Sequence, residues 1–197
     1  MNKELFRISA QACAKVYEKN RSYGTTQFDH YIITVKGKKY QAIIIAGTNE
    51  LADNVRNLNV FFSWKGIKIG SYNEAIEIKN KVDLIRMKYA FLDGLPTIVM
   101  GHSRGGASAI SYFRQFCDDT KDYCVVFAPA RCLRYWCNRK MKHTFMFIDP
   151  DDPVSEILGI INFGLPICET IKAPNNHFTY DPGDHPISKW VKFTKNM

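Results

Sequence analysis

One stretch constrains this chain more than any other: Thr97-Ile98-Val99-Met100-Gly101-His102-Ser103-Arg104-Gly105-Gly106-Ala107-Ser108-Ala109. It reads as a short apolar strand, a tight turn carrying a serine, and a helix that opens with small residues. Gly101-His102-Ser103-Arg104-Gly105 follows the G-x-S-x-G pattern, in which a strained strand-to-helix turn holds the serine hydroxyl clear of the sheet. The glycines have a mechanical reason, because side chains beside so crowded a turn would strike the neighbouring strand or helix. The helix start adds free backbone N–H groups and the positive end of a dipole where an oxyanion would form. Five residues alone are a weak signal, since glycine is common everywhere. The apolar strand before them and the small-residue helix after them single out Ser103 as a nucleophile, against a plain Gly-rich turn.

The 197 residues suffice for one domain, 1–197, with a full core. At 46% apolar and 13% aromatic, the composition is that of a globular protein and excludes a disordered one. Met1 to Arg7 lack the long apolar run of a signal peptide, and no stretch is long enough to span a membrane. The expected location is intracellular and cytoplasmic, free or peripheral on a membrane. Cys13, Cys117, Cys124, Cys132, Cys137 and Cys168 form no C-x-x-C pair and no zinc-type spacing with histidine. Reduced, mostly buried thiols and no metal or other cofactor are expected, disulfides remaining open for an exported protein.

The formal charge of +8 attracts something acidic. Its densest cluster is Arg131, Arg134, Arg139, Lys140 and Lys142, with Tyr135 and Trp136 among them. Basic residues mixed with aromatics suit an anionic lipid surface; the alternative is a solvated basic face. No nucleic-acid motif is present.

In chain order, a helix is predicted from Lys3 to Lys19, with Leu5, Ile8, Ala12 and Val16 on one stripe. Strands Tyr31–Val35 and Tyr40–Ala46 follow, joined by Lys36-Gly37-Lys38-Lys39. The second is apolar almost throughout and reads as a central strand buried on both faces. It ends in Gly47-Thr48, where a backbone N–H could face the serine. Leu51 to Ile69 is irregular, and Phe61, Phe62 and Trp64 within it read as a substrate wall or as core packing. A helix is predicted from Tyr72 to Tyr89, the serine helix runs to about Cys117, and strands follow at Tyr123–Ala128 and His143–Ile148. The latter opens into Asp149-Pro150-Asp151-Asp152-Pro153-Val154, so three aspartates compete to be the acid of a Ser, Asp, His chain order. The apolar stretch Ile157 to Ile167, with Ile160 and Phe163, suits an acyl chain or an ordinary core element. His177 and His185 come late enough to serve as the base, ahead of a final helix or strand ending at Trp190 and Phe193.

Together these residues resemble the class 3 lipases, the α/β-hydrolase branch that includes the fungal triacylglycerol lipases. Ile44-Ile45-Ala46-Gly47-Thr48 is similar to the family's strand ending in Arg-Gly-Thr, and Asp53-Asn54-Val55-Arg56-Asn57-Leu58 to the Asp-Trp-x-x-Asp-Leu that follows it. Gly70-Ser71-Tyr72 resembles its Gly-Phe before a long helix. Gly101-His102-Ser103-Arg104-Gly105-Gly106 resembles its Gly-His-Ser-Leu-Gly-Gly, Asp152-Pro153-Val154 its acid motif, and Asp184-His185 its terminal histidine. The resemblance runs nearly end to end. It implies an α/β fold, with an α/β-hydrolase-type, mostly parallel central sheet flanked by helices, in a compact version with little or no lid. Arg104 replaces the usual Leu, Ala46 the usual Arg, and Lys68 stands where His is common.

The implied chemistry is ester hydrolysis. Ser103 attacks, His185 is the base with His177 in reserve, and Asp152 orients it with Asp149 and Asp151 as competitors. Backbone N–H groups of Thr48 and Arg104 form the oxyanion hole. Phe61, Phe62, Trp64, Ile160 and Phe163 line the acyl site. The chain is shorter than typical members between acid and histidine, and it has little room for a long amphipathic lid, so a water-soluble ester or a phospholipid fits at least as well as a fat. A thioesterase, an acyltransferase or a lapsed binding protein on the same fold are the other readings.

Overall fold

The computed structural model describes residues 3–18, 28–47, 63–134, 140–149, 163–172 and 187–197. In chain order its elements are helix α1 (Lys3–Glu18), strands β1 (Phe28–Val35), β2 (Lys38–Ile45), β3 (Ser63–Trp64) and β4 (Ile67–Lys68), and helix α2 (Ile69–Lys88). A 3-10 turn (Ala90–Leu92) leads to β5 (Thr97–His102) and helix α3 (Arg104–Phe116). Then come β6 (Tyr123–Phe127), β7 (Leu133–Arg134), β8 (Lys140–Ile148), β9 (Phe163–Gly164), β10 (Ile167–Lys172) and helix α4 (Ile187–Lys195).

Among the described residues six strands form the main sheet, in the order β1-β2-β5-β6-β8-β10. β1 is antiparallel to β2, and every later pairing is parallel. A parallel sheet must be covered on both faces, and side chains along a strand alternate between them. The apolar run of β2 follows that rule. Ala42 and Ile44 join the core that packs α1 and α4, while Ile43 and Ile45 join the core that packs α2 and α3. β2 is therefore buried on both faces as expected, though it sits second from the edge. β3, β4, β7 and β9 make a separate four-stranded antiparallel sheet in the order β3-β4-β7-β9.

Local chemistry sets the boundaries. The β1–β2 turn is tighter than the four residues read from sequence: Lys36 (φ 48°) and Gly37 (φ 76°) alone make it. Two successive positive φ angles match the right-handed twist of the flanking strands, and a glycine supplies the second at low steric cost. α1 buries Leu5, Ser9, Ala12 and Val16 in successive turns, with Phe6, Ala10 and Cys13 beside them. β8 begins at Lys140, three residues earlier than its apolar core suggested. Lys140 and Lys142 point outward and Met141 inward, so two cations of the basic cluster belong to a strand. β10 was not anticipated: Ile167 opens this edge strand instead of closing an apolar loop. Edge strands are half wetted, and Cys-Glu-Thr-Ile-Lys carries no apolar run to announce one.

Aromatic rings fill the α1–α4 side. Phe6 meets Phe145 and Phe147 edge-on at centroid distances of 5.0 and 5.1 Å, and Trp190 of α4 lies 5.8 Å from Phe147. The five described cysteines are free thiols, and Cys137 lies outside the described residues. Burial pushes Cys132 up to about 12 and raises Cys13, Cys117 and Cys124 as well, which disfavours their thiolate forms. Among the described residues no helix is long and apolar enough to cross a membrane.

Candidate active site

β5 delivers the chain to Ser103 at the C-terminal end of the parallel strands, and α3 begins at the next residue. Ser103 takes φ 56° and ψ −126°, a conformation rare outside glycine. Such backbone costs about 1–3 kcal/mol and persists only where the surroundings over-determine it. Here they do. The Ser103 N–H donates to the Phe127 carbonyl at 3.0 Å, and its own carbonyl accepts from Gly106, Ala107 and Ala130 at 3.0, 3.3 and 3.1 Å. A Cβ at Gly101 would lie closer than 3.0 Å to the Gly105 carbonyl, and one at Gly105 equally close to the Ile45 carbonyl and Ala46. The glycines thus let α3 start against β5 and β2, the crowding expected from the motif. Ser103 as a whole is 5% exposed.

His102 is buried and hydrogen-bonded through Nδ1 to the Tyr17 hydroxyl at 2.9 Å. The same hydroxyl accepts the Gly47 N–H at 3.0 Å. Gly47 ends the described part of the segment that follows β2; Thr48, the expected oxyanion donor, lies outside the described residues. The other expected donor, the Arg104 N–H, belongs to the first residue of α3 and has no partner within the helix.

The Arg104 side chain has a partner on α2. One guanidinium nitrogen, Nη2, lies 3.0 Å from Oε1 of Glu74 on α2, and the Ser108 hydroxyl donates to the other carboxylate oxygen. Glu74 is 7% exposed on its side chain and Arg104 34%. Sequence reasoning missed Glu74. Its signal was available: it is the one charged residue on the α2 stripe of Ser71, Glu74, Ala75, Ile78 and Val82. Nearby, burial lowers the Lys68 pKa, with Arg104 adding to the effect and Cys132 opposing it.

Asp149 follows β8 at the same end of the sheet. It is buried and paired with Lys189 of α4. Asp151 and Asp152 lie outside the described residues, as do His177 and His185. β10 ends at Lys172, the register partner of Ile148. Gly47, Ser103, Ala128, Asp149 and Lys172 therefore all mark C-terminal strand ends, where open α/β sheets place their clefts. Phe61, Phe62 and Ile160 are outside the described residues; Trp64 on β3 and Phe163 on β9 lie at opposite edges of the small sheet.

Of the basic cluster, Arg131 follows Ala130, which binds the Ser103 carbonyl, and Arg134 lies on β7. Lys140 opens β8 at the far end of the parallel strands, and Arg139 is not among the described residues. A cavity of about 390 Å³ is lined by Lys65, Ile67, Tyr72, Arg114, Gln115 and Phe116. Its α3 residues sit at the opposite end of that helix from Ser103, roughly 16 Å away at 1.5 Å per residue, so it is not the cleft of the serine.

No family model matches this sequence, and no curated protein does. Solved structures do match. Lipase II from Rhizopus niveus aligns with a TM-score of 0.60 at 15% identity, over 87% of this chain and 81% of the lipase. The N225Q mutant of MDLA from Penicillium cyclopium aligns at 0.58 and 15%, over 92% and 83%. Rhizomucor miehei triacylglyceride lipase aligns at 0.57 and 12%, over 85% and 77%. The chain has the class 3 lipase-like α/β-hydrolase fold of these fungal lipases.

Proposed function

We propose that this chain is a serine hydrolase of carboxylic esters, lipid or phospholipid acyl esters among them, working through a Ser-Asp-His triad and an acyl-enzyme. One observation carries the reading: a serine held at φ 56° between a buried strand and a helix start, on the fold shared with fungal lipases. In this mechanism the Ser103 hydroxyl attacks the ester carbonyl while His185 takes its proton and passes it to the leaving alcohol. Asp152 orients the imidazole and stabilises its charged form. Asp149, paired with Lys189, and Asp151 are the competing candidates for that role. The N–H groups of Arg104 and Thr48 bind the tetrahedral oxyanion, each contributing about 3 kcal/mol in comparable sites. Water then releases the acyl group by the same route. Phe61, Phe62, Trp64, Ile160 and Phe163 are the proposed acyl wall, and Arg131 and Arg134 a proposed contact to an anionic surface, which Lys140, at the other end of the parallel strands, does not share.

The test is hydrolysis of a chain-length series of p-nitrophenyl esters. Turnover is expected, with a drop of about a thousandfold or more in Ser103→Ala. The chain-length optimum reports the depth of the acyl site. A folded wild-type protein that turns over no ester overturns the proposal.

A further inference from the structure

We infer that Tyr17 is a positioning residue of this site, its hydroxyl locking the backbone at Gly47, just beyond β2, to His102, the residue before the nucleophile. The inference rests on the serine-hydrolase reading above. It comes from three elements that meet at one oxygen: the last turn of α1, the end of β2 and the end of β5.

The ladder pairs of β2 end at Ile45, which faces Phe28 on one side and Gly101 on the other. Gly47 lies two residues beyond, and its N–H finds an acceptor in the Tyr17 hydroxyl at 3.0 Å. A phenol oxygen has lone pairs and one proton, so it accepts from Gly47 while its proton is available to His102 Nδ1 at 2.9 Å. The phenol ring also meets the imidazole edge-on, with centroids 5.7 Å apart. Gly47 is in close contact with the elbow as well. A Cβ placed there would lie 2.8 Å from the His102 carbonyl oxygen and 3.3 Å from the Ser103 Cβ. A small displacement of Gly47 is therefore passed on to the elbow it abuts, the His102 carbonyl and Ser103. Oxyanion donors act only when preorganised, and a misplacement of about 1 Å can cost a hundredfold in rate. Tyr17 carries no charge and is not asked to touch substrate. Its part is to hold Gly47 and His102 in one arrangement.

Tyr17→Phe keeps the ring and removes only the hydroxyl. In the full chain, kcat on a p-nitrophenyl ester is expected to fall about 10- to 100-fold with KM within about threefold of wild type. Affinity for an alkyl boronic acid, which forms a tetrahedral adduct on the serine, should fall in parallel. Amide hydrogen exchange at Gly47 should quicken at least tenfold. His102→Phe leaves the Gly47 bond in place and is expected to lose less. Unchanged Gly47 exchange, or unchanged kcat and boronate affinity, overturns the inference. So does a lowered thermal midpoint with kcat per folded molecule intact, because the hydroxyl would then be a structural bond only. A wild-type protein without ester turnover overturns the hydrolase reading instead, and Gly47 exchange still decides whether the hydroxyl holds the segment.

Discussion

Ser103 holds its side chain at a cost in backbone strain, and that cost can be measured apart from catalysis. Glycine adopts φ 56° without the Cβ penalty. Ser103→Gly is therefore expected to abolish activity yet stabilise the fold by about 1 kcal/mol, or 2–4 °C in thermal midpoint for a chain of this size. Ser103→Ala retains the Cβ and should leave the midpoint unchanged. A calorimetric comparison of the two decides the matter. Glu74 poses the opposite problem, a carboxylate in the core stabilised by its partners. Of the Arg104 guanidinium and the Ser108 hydroxyl that hold it, Arg104→Leu would leave the hydroxyl. The expected loss is about 2 kcal/mol, reduced from a fully buried pair because Arg104 is a third exposed. Adding Glu74→Gln should return much of it, which urea titration of the single and double variants would reveal. The aspartates separate in the same manner. Asp149→Asn is expected to cost stability with modest loss of rate per folded molecule, and Asp152→Asn to cost about 10⁴ in kcat with stability retained.

At the scale of elements, one buried polar side chain ties the entry of β5 to the sheet. Gln41 of β2 donates to the Leu92 and Leu95 carbonyls at 2.7 and 3.3 Å, and accepts from Arg86 Nε of α2 at 2.9 Å. Arg86 in turn reaches the Thr97 hydroxyl at 3.2 Å. The turn before the elbow strand and the end of α2 are thereby held in register with β2. His30 on β1 borders this network, its Nε2 lying 3.4 Å from Gln41 Oε1. Burial holds the His30 pKa below its ordinary value of 6.5; the Gln41 hydrogen bond opposes the shift and the Arg86 charge adds to it. The unfolded chain then binds the proton more readily than the native one, so stability should fall as the pH drops through 6.5 and be unaffected above it. Urea midpoints taken at about pH 7.5 and 5.5 should differ less in His30→Gln than in wild type.

For the whole molecule, the two helical layers play different parts. α2 and α3 grip the elbow through Glu74 and the apolar core beneath it. α1 and α4 close the other face, and α4 returns the C-terminal segment to the sheet through Trp190 and the Asp149–Lys189 pair. Trp190 is 2% exposed and touches the rings of Phe127, Phe147 and Phe193. Trp190→Ala should cost about 3–5 kcal/mol, enough to unfold a marginal domain, and would be seen as a collapse of the urea midpoint.

Much of this architecture could be read from local pattern. The apolar run of β2, the stripe of α1 and the strand-turn-serine-helix sequence each carry their period within a dozen residues, and the observed elements fall close to the expected ones. Steric crowding around the elbow is similarly local, being set by which residues lack a Cβ. The contacts that join distant segments carry no such period. Tyr17 reaches His102 across 85 residues, Arg104 reaches Glu74 across 30, and Lys189 reaches Asp149 across 40. Edge strand β10 and the early start of β8 belong to the same class, since a half-wetted strand is defined by its neighbour more than by its own composition. A hydrogen bond or ion pair at such separation depends on where the packed layers bring two side chains, and only the folded chain decides that.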